Sequence, residues 1–90
     1  MAGVTIPETK DIVSRLLVLL CGIAPDIDAA SVDPGRDLRD QFDFDSMDML
    51  HFATAVSAEF TIDIPERDYV RLASLEKASA LVRSKLAPSH

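Results

Sequence analysis

The sequence contains no tryptophan, a single tyrosine, a single cysteine and only three glycines. One cysteine, Cys21, closes no internal disulfide and supplies no thiolate set for zinc, so neither crosslinks nor a structural zinc is expected to hold the fold. Cations are missing from a whole stretch. Between Arg39 and Arg67 there is no Lys or Arg, while Asp40, Asp43, Asp45, Asp48, Glu59, Asp63 and Glu66 all fall inside it. A surface of that sign repels phosphate backbones, which excludes nucleic acid as the expected partner and favours basic protein surfaces. Long apolar runs are lacking too. The candidate, Leu16 to Ala24, is far shorter than the roughly 20 residues a membrane span needs. Lys10 and Arg15 precede it and Cys21 lies within it, as in a lipoprotein leader. Leu20 stands where a small residue is required, however, and Glu8 and Asp11 dilute the positive lead-in. Cys21 is therefore read as core, and the cytoplasm as the expected compartment.

What is present suffices for one small core. Ninety residues, 48% of them hydrophobic, with a net charge of −6, predict a single compact domain over 1–90 and leave no room for a two-domain enzyme. Thr5 and Glu8 have the spacing of a capping box and Pro7 suits a first turn, so a helix is expected over about 6–21. Val13, Leu16, Leu17 and Leu20 form its apolar face, with Ile12 and Leu19 flanking, and Gly22 and Pro25 stop it. From Ile23 to Asp45 the period is lost among Asp, Pro and Gly, which predicts a long loop. A loop of that length needs pins, and Ile27, Val32, Leu38 and Phe42 are the candidates.

Asp45 is a suitable N-cap, with Asp48 at the third helical position, for a second helix from Ser46 to about Phe60. One arc of it, Met49, Phe52, Ala53, Val56 and Phe60, is expected in the core. A second arc, Met47, Leu50, His51, Thr54, Ser57 and Ala58, is left over. Beyond Pro65 there is room for only a turn or two of helix over Glu66–Arg71. Ser74 then caps a last helix with Leu75, Ala78, Val82 and Leu86 buried and Arg83 and Lys85 at its C-terminal end. No strand signal competes. The expected fold class is an all-α four-helix bundle: three longer helices, a short third helix, and a long loop between the first two.

No catalytic constellation is visible. Ser46 and His51, five residues apart on one helix, point about 140° apart and cannot work as nucleophile and base. The acids from Asp43 to Asp48 begin like a calcium loop but lack its fifth ligand and its glycine, so no metal is expected. Ser46 itself is notable. At the first turn of a helix its hydroxyl is expected to be exposed beside unpaired backbone N–H groups, where a phosphate is tolerated even though Asp45 and Asp48 oppose it.

The run Phe42-Asp43-Phe44-Asp45-Ser46-Met47-Asp48 resembles the Gly-x-Asp-Ser-Leu motif of acyl carrier proteins, whose serine carries 4′-phosphopantetheine through a phosphodiester. Phe60-Thr-Ile-Asp-Ile64-Pro65-Glu66 is similar to that family's Phe-x-x-x-Ile-Pro-Asp/Glu segment, and the order of helices agrees over nearly the whole chain. Asp43 stands in place of the usual glycine and Met47 in place of leucine; Met keeps the volume and remains an apolar contact. The resemblance implies a carrier rather than an enzyme. Its cofactor is covalent 4′-phosphopantetheine on Ser46, and acyl intermediates of fatty-acid, lipid or polyketide-type biosynthesis ride on it as thioesters. The implied partners are a phosphopantetheinyl transferase and acyl-activating, acyltransferase or synthase enzymes with basic surfaces, meeting a monomer.

Where housekeeping carriers of that family present several glutamates, this second helix has His51, Thr54, Ser57 and Ala58. That difference suggests a specialised member recognised through Asp43, Asp45, Asp48, Met47 and Leu50, with His51 and Thr54 beside them. Ala53 and Ala73, next to Phe52, Val56 and Leu72, are candidates for a cleft sheltering the chain, and Tyr69 for the edge of the core. An aminoacyl or peptidyl carrier of nonribosomal synthesis is one alternative, and an unmodified protein-binding module of the same fold another. Crowding of Asp40, Asp43, Asp45 and Asp48 predicts a salt-sensitive fold.

Overall fold

A computed structural model describes residues 8–87. Four α-helices account for the frame: α1 (Thr9–Ile23), the single turn α2 (Leu38–Gln41), α3 (Ser46–Phe60) and α4 (Leu75–Leu86), with 3-10 segments at Ala29–Ser31 and Glu66–Leu72. No strand occurs among the described residues, so the all-α bundle is observed. Helix α1 packs on both α3 and α4, and the 3-10 segment Glu66–Leu72 closes the remaining side against the same two helices.

In α1 the fully buried stripe is Ile12, Leu16 and Leu20. Ile12 is thus at the centre of the face rather than its flank, while Val13 and Leu17 are half-buried and Val18 is 72% exposed. A strict i, i+4 stripe is what one helix presents when it lies between two others. The expected Thr5 and Pro7 start lies outside the described residues; the helix begins after Glu8, which occupies the cap position without a side-chain cap bond. Its end comes two residues later than expected: Ala24 N–H donates to the Leu20 carbonyl at 2.9 Å. Cys21 is half-buried and its thiol donates to the Ile27 carbonyl at 3.6 Å, so it lines the core edge rather than filling the core.

The long segment before α3 is more ordered than a loop. Two of its aspartates are caps: Asp28 accepts from Ala30 N–H at 3.1 Å and Asp37 from Arg39 N–H at 2.8 Å, each starting a turn of helix. Ile27, Val32 and Leu38 are buried as expected, Phe42 is half-buried, and Phe44 is a further buried pin that was not expected. Gln41 ties the segment to itself, donating its amide to the carbonyls of Asp33 (2.8 Å) and Arg36 (2.9 Å) and accepting from Asp33 N–H (2.7 Å). Backbone bonds then stitch it to the start of α4, Leu38 N–H to the Ala73 carbonyl at 2.7 Å and Glu76 N–H to the Pro34 carbonyl at 2.9 Å.

Helix α3 ends at Thr61, whose backbone is left-handed (φ 54°, ψ 52°). The Ser57 hydroxyl donates to the Ile62 carbonyl while Ile62 N–H returns to the Ser57 carbonyl at 3.1 Å. A β-branched residue is strained there, and glycine relieves the strain at the cost of a more flexible unfolded chain. Replacing Thr61 by Gly is expected to raise unfolding free energy by about 0.5–1 kcal/mol, read from urea midpoints at constant slope; a lower midpoint contradicts it.

One ion pair locks the 3-10 segment onto α4. Lys85 Nζ lies 3.0 Å from Asp68 Oδ2, with Arg71 at 3.9 Å. The Lys85 hydrogen bond holds the Asp68 carboxyl below its ordinary value of 3.8, outweighing partial desolvation. A depressed carboxyl stabilises the fold above that ordinary value and loses the contribution as pH falls through the folded value. Asp68→Asn should therefore melt below the parent at neutral pH, and the difference should narrow as pH drops below 3.8; a gap independent of pH contradicts it.

Candidate functional site

The N-terminus of α3 is built by two short-range devices. Phe44, buried at 4% exposure, meets Phe52 edge to face with ring centroids 6.2 Å apart, and its own N–H donates to the Phe42 carbonyl at 2.8 Å. The alternation Phe42-Asp43-Phe44 is the signal that could have revealed it: one ring turns inward while Asp43 between them stays exposed. Immediately afterwards Asp45 and Asp48 cap each other's backbone. Asp45 Oδ1 accepts from Asp48 N–H at 2.9 Å, and Asp48 Oδ2 accepts from Asp45 N–H at 3.1 Å. Such a reciprocal box satisfies two donors at once, and both negative charges suit the positive end of the helix.

Ser46 is the first residue of α3 and is exposed. The amides of Ser46 and Met47 have no carbonyl partner within the helix, as at any helix start. Met47 and Leu50, one turn apart, are 56% and 41% exposed. These two apolar side chains join Ser46 in lining a shallow groove of about 420 Å³, whose other walls are Arg39, Met49, Glu66 and Tyr69.

Of the residues singled out in the sequence, Asp43, Asp45, Ser46, Met47, Leu50, His51 and Thr54 are all exposed and Asp48 is half-buried. Thr54 donates its hydroxyl to the Leu50 carbonyl at 2.9 Å, which ties it to its own helix. Met49, expected in the core, is half-buried and turns partly to the groove. Arg39 and Glu66 were not anticipated as site residues. Arg39 was detectable only as the last cation before the acidic stretch.

The large candidate cleft residues are packed as ordinary core. Phe52, Val56 and Leu72 are fully buried within the one core cluster, so the space between the helices is filled. Ala53 lines one open groove of about 320 Å³ with Thr54, Ser57 and Ile64. Ala73 lines a different one of about 340 Å³ with Asp37, Met49 and Lys77, and Tyr69 borders both. Tyr69 is half-buried against the core, where it partitions the surface.

Chemically, the site offers one exposed serine flanked by two carboxylates engaged in the helix cap. Among the described residues no group of His, Cys, Asp or Glu side chains could hold a metal ion, and no helix is long and apolar enough to cross a membrane. A four-helix bundle that holds a serine outward at the first position of a capped helix has the form of a carrier domain, in which the protein displays a group for other enzymes to act on. The family model for the phosphopantetheine attachment site matches residues 13–82, and the chain belongs to that family. Its members bear 4′-phosphopantetheine bound covalently to a serine. No curated protein gives a significant match. The chain fits the group: an outward hydroxyl, unpaired amides beside it for the phosphate, and an apolar groove leading away.

The Phe44 anchor is testable apart from any modification. Phe44→Ala removes a buried ring and is expected to cost about 3 kcal/mol or more in unfolding free energy, with amide exchange accelerated first around 42–50. Stability unchanged by the substitution means that the ring does not fix this turn.

Proposed function

We propose that Ser46 is the modified serine and that the domain is an acyl carrier, holding acyl intermediates as thioesters and delivering them to enzymes of fatty-acid, lipid or polyketide-type biosynthesis. The single observation behind the reading is the placement of Ser46: exposed, first in its helix, and directly after a doubly closed cap within the stretch matched by the family. When bound, 4′-phosphopantetheine supplies a terminal thiol on a long arm, so thioester chemistry takes place in the partners' active sites. Loading needs only that the Ser46 hydroxyl reach phosphorus. Its oxygen forms the new P–O bond as the pyrophosphate bond of coenzyme A breaks, adenosine 3′,5′-bisphosphate leaves, and a base on the transferase takes the hydroxyl proton.

This chain's contribution is presentation and recognition. The cap holds Ser46 in one orientation, which reduces the conformational cost of docking to each enzyme. Asp45 Oδ2 and Asp48 Oδ1 are not the oxygens engaged in the box, so each carboxylate keeps an acceptor for Arg or Lys of a partner. Asp43 extends the same acidic end, while Met47 and Leu50 offer adaptable apolar contacts. His51 and Thr54, on the next turn, take the place of further acids and suit a specialised partner set. A monomer working in the cytoplasm is consistent with this division of labour.

Intact mass after incubation with coenzyme A and a broad-specificity phosphopantetheinyl transferase tests the proposal. The expected result is a gain of one phosphopantetheinyl group that is abolished in Ser46→Ala. No gain supports an unmodified binding module, and a gain that persists in Ser46→Ala moves the attachment elsewhere. Charging the loaded thiol with acyl against aminoacyl donors then separates the acyl carrier from the peptidyl carrier.

A further inference from the structure

We infer that Arg39 is the intramolecular countercharge for the phosphodiester on Ser46, and that it draws the start of the prosthetic arm toward the Arg39–Tyr69 side of the groove. The inference rests on Ser46 being the modified residue. Arg39 and Ser46 line the same groove, together with Met47, Leu50, Glu66 and Tyr69. Arg39 is the sole cation among those lining residues, and the chain offers no other until Arg67. Between Arg39 and Arg67 every charged residue is an acid: Asp40, Asp43, Asp45 and Asp48 precede or open α3, and Glu66 lines the same groove. A phosphodiester placed on Ser46 would therefore meet mainly like charge, with Asp45 and Asp48 already committed to the cap. One guanidinium lining the same groove changes that balance, because it pairs with phosphate oxygens through charge-assisted and often bidentate bonds.

The position of Arg39 is fixed independently of its side chain. Its backbone N–H is held by Asp37 Oδ1 at 2.8 Å, the preceding Leu38 is fully buried and bonded through its N–H to the Ala73 carbonyl at 2.7 Å, and Gln41 anchors the end of the same turn. A single helical turn pinned in this way brings Arg39 to the groove wall. Among the described residues the ion pairs are made by Arg15, Arg71 and Lys85 and not by Arg39. Its guanidinium is thus available to a new anion without breaking an existing pair. Arg36, three residues earlier, instead points its guanidinium at the Asp40 carbonyl. Arg39 also borders the second groove, with Met49, Tyr69 and Lys77. An arm steered to this side meets a continuing surface with another cation further along.

The test compares unmodified and modified protein for the parent, Arg39→Gln, Arg39→Glu and Arg39→Lys. Intact mass is read first. A parent that takes up no group overturns the Ser46 assignment, whereas uptake without any Arg39 response overturns the present inference alone. In the modified parent the Arg39 side-chain Nε–H resonance is expected to shift relative to the unmodified protein. The melting temperature of modified minus unmodified protein should fall by about 2–4 °C in Arg39→Gln, fall further in Arg39→Glu, and be largely restored in Arg39→Lys. High salt should shrink these differences. Because each value is a difference within one variant, a purely structural effect of the substitution cancels. An unshifted Nε–H in the parent, or equal melting differences in all four proteins, overturns the countercharge role. The parent resonance decides the matter even if a variant resists modification.

Discussion

The reciprocal bond between Asp45 and Asp48 is the constraint on which the site depends. A helix start leaves several N–H groups without partners, and a frayed first turn would let Ser46 wander through many orientations. Here each aspartate closes on the other's backbone, at 2.9 and 3.1 Å, and Phe44 just upstream is fastened to Phe52 of the same helix. The chain is therefore clamped on both sides of position 46 by residues whose own partners lie within α3. A cap of this kind contributes roughly 1 kcal/mol, which is modest against the whole fold. Its importance is positional: the cap fixes the backbone around Ser46, which stays exposed.

The same economy governs the segment that leads to the site. A stretch as long as that between α1 and α3 would ordinarily lose much conformational entropy on ordering. Buried Ile27, Val32, Leu38 and Phe44 fasten it at intervals, and the polar residues between them are not idle. Asp28 and Asp37 cap turns, and Gln41 makes three bonds to backbone. The acidity that looks like crowding in the sequence is partly consumed as hydrogen-bond acceptance, which lowers the repulsion among these side chains. Asp40 and Asp43, which cap no turn here, remain exposed.

Helix positions were legible because their signals are local. Asp45 with Asp48, Ser74 with its following helix, and the apolar period of α3 each predict a boundary from adjacent residues, and the structure has α3 over Ser46–Phe60 and Ser74 accepting from Lys77 N–H at 3.1 Å. Long-range pairings escaped. Nothing adjacent to Leu38 announces that its N–H meets Ala73, and nothing beside Arg39 shows that it borders the groove of Ser46. The left-handed Thr61 escaped for a different reason. The helix ends at Phe60 as expected, but nothing beside Thr61 announces that the Ser57 hydroxyl and carbonyl capture the backbone of Ile62. At the candidate cleft, small residues at Ala53 and Ala73 suggest space, while Phe52, Val56 and Leu72 are fully buried as core.

Helix α3 also explains how one element serves both the fold and its partners. Phe52, Ala53, Val56 and Phe60 supply a buried stripe, with Arg15 stacked 5.4 Å from the Phe60 ring and paired to Glu59 at 2.9 Å. Met47 and Leu50 lie off that stripe, in the two turns nearest Ser46, and stay largely in solvent. Two exposed apolar side chains side by side lose free energy in water that burial against a partner returns. They are too small a patch to drive self-association by themselves. On the proposed reading, the neighbouring carboxylates steer a basic partner surface inward, and these two side chains strengthen the complex that the acids have oriented. On that reading, a weak apolar contact and a salt-sensitive approach together favour short-lived complexes, which suits a carrier that leaves one enzyme to reach the next.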